Sequence, residues 1–200
     1  NASIMLVSNV KKDGKYIGSL PDGEMWFHHD MCYDKAPHKG TFLYAMELPS
    51  TGGNTLFANM YAAYDRLSDD MKERVKGQRA LQIYDFATRE TVDISDDISK
   101  YKHEVQSVTI THPVTGRRAL YVNPLITARI EDMPEDDSRA MLDELFAFAD
   151  DPSIAYEHEW RLGDLMMWDN WCSCHARTDF PASERRMLRR CTVKGQPLYE

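Results

Sequence analysis

Residues 156–193 read YEHEWRLGDLMMWDNWCSCHARTDFPASERRMLRRCTV. Four short extended runs lie in this stretch: Tyr156 to Arg161, Asp164 to Trp168, Cys172 to Arg177 and Met187 to Val193. The run through Trp168 ends in the polar turn Asp169-Asn170. Closely spaced short strands with turn chemistry between them predict sheets packed on one another.

The same reading runs upstream. Strands are expected over Ile4 to Val10, Met25 to Tyr33, Thr41 to Leu48 and Thr55 to Ala58. Val105 to Thr111 and Ala119 to Val122 form a hairpin around the turn His112-Pro113-Val114-Thr115-Gly116. Lys11 to Gly23 reads as loop, and Pro49-Ser50-Thr51-Gly52-Gly53-Asn54 as a turn. Asn59 can cap a short helix through Leu67, and Ser68 a second over Asp69 to Lys76. Pro134 to Ala149 carries Met141, Leu142, Leu145, Phe146 and Phe148 at helical spacing. Glu135, Asp136 and Asp137 would sit at the positive end of that helix dipole. Arg79 to Glu104 is polar and charged and is expected to be an irregular loop or lid that shapes specificity. The sum is a mainly β chain with flanking helices, a two-sheet jelly roll.

A chain of 200 residues, 42% hydrophobic and 28% charged, suits one domain with a sizeable core. The net charge of −8 excludes the basic footprint of a nucleic-acid partner. No apolar run approaches a membrane span and no leader motif is visible, so a cytoplasmic location is expected. Cys32, Cys172, Cys174 and Cys191 match no zinc spacing and are expected to be free and reduced.

Chemistry concentrates at two places. His28 and Asp30 lie two residues apart on an expected strand and so share a face, with His29 on the other. His175 lies on a later strand, seven residues after Trp168. Two imidazoles and one carboxylate on one side of an ion are the facial triad of non-haem Fe(II) oxygenases, which leaves three positions open. Alone, a His-x-Asp is more often a hydrogen-bonded surface pair. Arg186 and Arg190 are four apart on a strand and point the same way, so both guanidiniums can face one cavity and grip an anion. The competing reading pairs them at the surface with Glu184 or Asp179. The remaining candidates read as structural. His38, His103 and His158 are expected in solvent or loops, Cys172 and Cys174 on the face opposite His175, and Met166 and Met167 in the core.

The ordered set His28-x-Asp30, Gly52-Gly53-Asn54-Thr55, His112-Pro113-x-Thr115-Gly116, Tyr121-Val122-Asn123, Trp168-Asp169-Asn170, His175, Arg186 and Arg190 resembles the taurine dioxygenase family. The resemblance implies a double-stranded β-helix of the cupin-like jelly-roll type. It implies a dioxygenase dependent on Fe(II), 2-oxoglutarate and O2 that hydroxylates a small anionic carboxylate or sulfonate and releases succinate and CO2. By position, His28, Asp30 and His175 match the iron ligands. Thr55 and Arg186 match the residues that hold 2-oxoglutarate, and Arg190 the one that grips the substrate anion. Asn123 would position a hairpin, and homo-oligomers are among the assemblies implied. Asp30 fills the place where related halogenases carry a small residue. Phe27 stands where the family often has Trp, and Trp171 where many members have Arg. Members also carry a longer segment before the His-x-Asp strand, so residues 1–200 are expected to be a single dioxygenase domain lacking that N-terminal segment. Two rival readings use the same residues: a non-catalytic jelly-roll module binding an anion or metal, and a zinc hydrolase.

Overall fold

The structure is a computed structural model that describes residues 4–20, 23–85, 92, 94, 97–149 and 151–199. In chain order the elements are β1 (Met5–Ser8), β2 (Lys11–Lys12), β3 (Lys15–Tyr16), β4 (Met25–His28), β5 (Gly40–Glu47) and β6 (Thr55–Asn59). Helices α1 (Met60–Asp65) and α2 (Asp69–Val75) follow, then β7 (Arg79–Tyr84), β8 (Lys102–Ser107), β9 (Thr109–Thr111), β10 (Arg118–Leu120) and β11 (Thr127–Ile130). Helix α3 (Glu135–Phe146) precedes β12 (Ala155–His158), β13 (Leu165–Asp169), β14 (Ser173–Arg177) and β15 (Met187–Val193).

Two four-stranded antiparallel sheets, ordered β1-β15-β5-β13 and β12-β6-β14-β4, form the jelly roll. Val7, Leu43, Ala45, Trp168 and Leu188 form a buried cluster, with Phe57 and Trp160 packed against it. Three of these five core residues, Leu43, Ala45 and Leu188, alternate with less buried neighbours along β5 and β15, the period-two signature of a half-buried strand. A larger core lies behind the second sheet and is closed by α1, α2 and α3 through residues such as Met60, Met71, Leu142 and Leu145.

The helices begin where their chemistry places them. The Asn59 side chain accepts from the Ala62 amide, and Ser68 Oγ from the Met71 amide, so each cap satisfies an orphan N–H. Pro134 precedes α3, and the three acids expected at its positive end occupy its first turn. The hairpin around His112 forms as β9 and β10, paired Thr111 to Arg118.

Three expectations are corrected. The strand over Met25 to Tyr33 ends at His28, and Asp30 lies in the turn that follows, where Met31 takes φ 61°. The supposed irregular stretch from Arg79 holds β7, paired along its whole length with β8 and flanked on its other side by β11. Five of the six residues of β7 are buried, including Gln82, because both of its faces are covered; the alternation that marks a half-buried strand is therefore missing. Most of the remaining lid-like stretch, residues 86–91, 93, 95 and 96, lies outside the described residues. Within the expected loop from Lys11 to Gly23, β2 and β3 form a two-residue hairpin. None of the described helices is long and apolar enough to cross a membrane.

Candidate active site

Strand pairing assembles the site before any side chain is considered. His28 on β4 and His175 on β14 are direct cross-strand partners, and their rings lie 4.1 Å apart. Cross-strand partners project from the same face, so both imidazoles point between the sheets. Asp30, at the start of the turn, comes back to the same point. Its Oδ1 is 3.9 Å from His28 Nε2 and 3.8 Å from His175 Nε2. The three ligand atoms lie within 4.8 Å of one another, the spacing of donors around one ion.

The tautomer of His28 favours an ion. His28 Nδ1 lies 2.9 Å from the Trp26 carbonyl oxygen, which can only accept, so Nδ1 carries the proton and Nε2 presents its lone pair. Burial lowers the pKa of His28 and holds that of His175 well below its ordinary value, so both rings are neutral at neutral pH. Burial would raise the Asp30 carboxyl, but Arg190, the two imidazoles and the Thr41 hydroxyl together hold it well below the usual range. Two neutral imidazoles and one carboxylate are a borderline donor set suited to a first-row divalent ion such as Fe(II).

A cationic wall faces the triad. Arg190 on β15 contacts Asp30 Oδ1, and Arg186 lies just before that strand. Both line the same pocket as His28, Asp30, Thr55 and His175. The surface pairing with Glu184 or Asp179 does not occur, since Glu184 holds Ser50. Arg186 is 2% exposed, and its Nε and Nη2 donate to the Gly53 carbonyl oxygen at 3.1 and 2.9 Å. Among the described residues no carboxylate pairs with it. Burial, with Arg177 adding repulsion, pushes its pKa down.

That contact accounts for the glycine pair. Gly52 and Gly53 both take positive φ, and a Cβ on Gly53 would sit 2.9 Å from Arg186 Nε. The backbone therefore approaches the guanidinium as only glycine allows. Two residues on, the buried Thr55 Oγ1 accepts from Trp160 Nε1 at 3.0 Å.

Sequence reasoning missed several residues around this pocket. Arg177, two after His175, donates to the Leu20 and Gly23 carbonyls and so pins the chain that carries Leu20 and Met25 to the pocket wall. Its signal was the period-two spacing from His175 on a strand. Trp160 and Thr41 left no local signal, because the groups they serve lie 105 and 11 residues away in sequence. Trp168 packs on His175 with ring centroids 4.7 Å apart.

The secondary readings are settled as well. His29 points away from the pocket, fully buried, with Cys174 Sγ 3.3 Å from its Nδ1 and the Tyr121 ring 4.4 Å away. Cys174 thus faces the core opposite His175, and all four cysteines are unbridged. Asn123 caps its turn by accepting from the Ile126 amide. Trp171 is buried and donates to the Pro37 carbonyl. His158 is not a loop residue: it lies on β12 and pairs with Asp164 at 3.1 Å. His103 lies on β8, exposed. His112, Asp169 and Cys172 also come together. There, His112 Nδ1 accepts from the Val114 and Thr115 amides, so Nε2 carries the proton and donates to Asp169. This arrangement locks a turn and offers an ion no imidazole lone pair.

The family profile of the taurine catabolism dioxygenase TauD, TfdA family matches residues 1–192. The chain belongs to this family. As a TauD/TfdA member it is a 2-oxoglutarate-dependent dioxygenase. It is 36% identical over 201 residues to pentalenolactone F synthase of Streptomyces arenae, covering 93% of this chain and 67% of that one. It is 32% identical over 207 residues to the alpha-ketoglutarate-dependent 2,4-dichlorophenoxyacetate dioxygenase of Burkholderia sp. (strain RASC), covering 98% and 68%. Among solved structures it superposes on AAD-2 in complex with Mn(II) and N-oxalylglycine with a TM-score of 0.84 at 32% identity, covering 98% of this chain and 76% of that one. This TauD/TfdA chain thus spans about two thirds of the length of these two curated relatives.

Proposed function

We propose that this pocket hydroxylates a small, largely apolar substrate bearing one carboxylate or sulfonate. In this reading His28, Asp30 and His175 hold Fe(II), Arg186 and Thr55 bind the far carboxylate of 2-oxoglutarate, and Arg190 meets the substrate anion. The observation that carries it is Arg186, a guanidinium 2% exposed with a carbonyl partner and no carboxylate partner among the described residues. A buried cation so placed costs several kcal/mol of lost hydration, and a bound dicarboxylate offsets that cost through fork-like hydrogen bonds.

The chain's own groups divide the work. His28 and His175 supply lone pairs from Nε2, with the His28 tautomer fixed by Trp26. Asp30 supplies the one negative charge. Trp160 takes up an acceptor position of Thr55 Oγ1, which leaves the Thr55 proton free to be donated to a carboxylate. Val7, Leu20, Met25, Leu43 and Trp168 line the remainder of the pocket with apolar surface and exclude water around the reacting C–H bond. When bound, Fe(II) with 2-oxoglutarate activates O2 for C–H hydroxylation, and succinate and CO2 are the co-products. Of the known proteins above, the 2,4-dichlorophenoxyacetate dioxygenase is named for an apolar body carrying one carboxylate, the same shape of ligand.

The test is succinate release from anaerobically Fe(II)-loaded protein given 2-oxoglutarate, O2 and a panel of aryloxyacetates, other carboxylates and sulfonates. Succinate should form with wild type and a panel member, and not with His175→Ala. Turnover that needs neither 2-oxoglutarate nor O2 would contradict the reading in favour of a hydrolase. Tight anion binding without turnover would contradict it in favour of a binding module.

A further inference from the structure

We propose that Thr41 is a positioning residue for the metal-binding carboxylate: backed by Asn170 and Trp168, it ties down Asp30 Oδ2, which turns Oδ1, the oxygen that meets Arg190 here and lies beside both imidazoles, toward the ion. The inference rests on the metal-site reading above.

Thr41 Oγ1 lies 2.6 Å from Asp30 Oδ2, Asn170 Nδ2 lies 2.9 Å from Thr41 Oγ1, and Trp168 Nε1 lies 2.7 Å from Asn170 Oδ1. Thr41 and Asn170 are fully buried and Trp168 is nearly so. An indole N–H can only donate, so it must meet the oxygen of the Asn170 amide. The amide is thereby oriented with its NH2 toward Thr41. That NH2 occupies a lone pair of the Thr41 hydroxyl, whose own proton is left to go to Asp30. Every link runs in the same sense and ends on the carboxylate, and such chains strengthen one another in a buried setting.

The backbone makes the chain rigid. Trp168 and Thr41 are cross-strand partners on β13 and β5, and the Asn170 amide donates to the Lys39 carbonyl. The carboxylate it holds belongs to a turn rather than to a strand, so its own backbone supplies less restraint. With Oδ2 engaged by Thr41, Asp30 would hold a divalent ion through Oδ1 rather than through both oxygens. Trp168 also packs on His175, so one indole steadies two of the three ligands.

The test compares Thr41→Val, which keeps the shape and removes the hydroxyl, with Thr41→Ser, which keeps the hydroxyl. Mn(II) affinity is read from the free-ion electron paramagnetic resonance signal, and coordination from the visible spectrum of the Co(II) form. Mn(II) binding is expected to weaken about 10- to 100-fold in Thr41→Val and to stay within about threefold of wild type in Thr41→Ser. The Co(II) spectrum should change in the first and not in the second. A hydroxyl that served only folding would lower the melting temperature and leave the Mn(II) affinity of the folded protein alone. If Thr41→Val folds poorly, Thr41→Ala gives the same readout. Wild-type affinity in the folded hydroxyl-free variant overturns the proposal. Failure of wild type itself to bind Mn(II), or unchanged binding in His175→Ala, overturns the metal-site reading and this proposal with it.

Discussion

Replacing Arg186 by Met separates binding from folding at this site. The guanidinium is 2% exposed and has no carboxylate partner among the described residues, while its Nε and Nη2 reach the Gly53 carbonyl. Two hydrogen bonds between it and a bound carboxylate are worth about 1.5–3 kcal/mol each. Their loss corresponds to roughly 10²- to 10⁴-fold weaker 2-oxoglutarate binding. Folding feels the change less. The Gly53 carbonyl loses its donor at a cost of about 1–3 kcal/mol, while removal of an uncompensated buried charge returns a similar amount. The assay is thermal melting of the Mn(II)-loaded protein with and without 2-oxoglutarate. At a ligand concentration near 100 times the dissociation constant, wild type gains about 2.7 kcal/mol. For a chain of this size that is a rise of roughly 5–10 °C. Arg186→Met should melt close to wild type without ligand and gain almost nothing with it. An Arg186→Met protein stabilised by 2-oxoglutarate as much as wild type would refute the assignment of this residue to the cosubstrate.

Other outcomes follow from particular contacts. Burial drops His29 to a pKa of about 3, below its ordinary 6.5, so between these values the unfolded chain holds the extra proton. Stability therefore falls as pH drops below about 6.5, by about 2 kcal/mol at pH 5 from this residue alone, and urea denaturation at pH 7 and 5 should show a smaller difference in His29→Asn. The depressed Asp30 carboxyl adds no slope in that window, because both its folded and unfolded values lie below it. Gly52→Ala would force a Cβ to 2.1 Å from the Asp179 carbonyl oxygen at φ 68°, so a loss of more than about 2 kcal/mol by urea denaturation is expected, and a near-neutral result would contradict the geometry. Trp160→Phe removes the donor to Thr55, so the KM for 2-oxoglutarate should rise about fivefold with kcat little changed; an unaltered KM would show that Thr55 needs no such orientation.

The triad and the arginine pair were legible because their spacing carries meaning by itself. His28 and Asp30 two apart, and Arg186 and Arg190 four apart, were read as sharing a strand face; the structure brings each pair to the one pocket although Asp30 lies in a turn and Arg186 just before β15. The turn at Asp30 was not legible, since Phe27-His28-His29-Asp30 offers no Gly or Pro to mark where the strand stops. Strand β7 was hidden because burial on both faces erases alternation. Thr41 and Trp160 serve groups 11 and 105 residues away in sequence. One sequence does not display such contacts.

On the reading proposed above, His28, Asp30 and His175 hold Fe(II) in a pocket that also binds 2-oxoglutarate. The direct measurement is the weak visible absorption band on anaerobic addition of 2-oxoglutarate to Fe(II)-loaded protein, compared between wild type and His175→Ala. The band is expected in wild type and absent from the variant. A band of equal strength in both, or none in wild type, would contradict it.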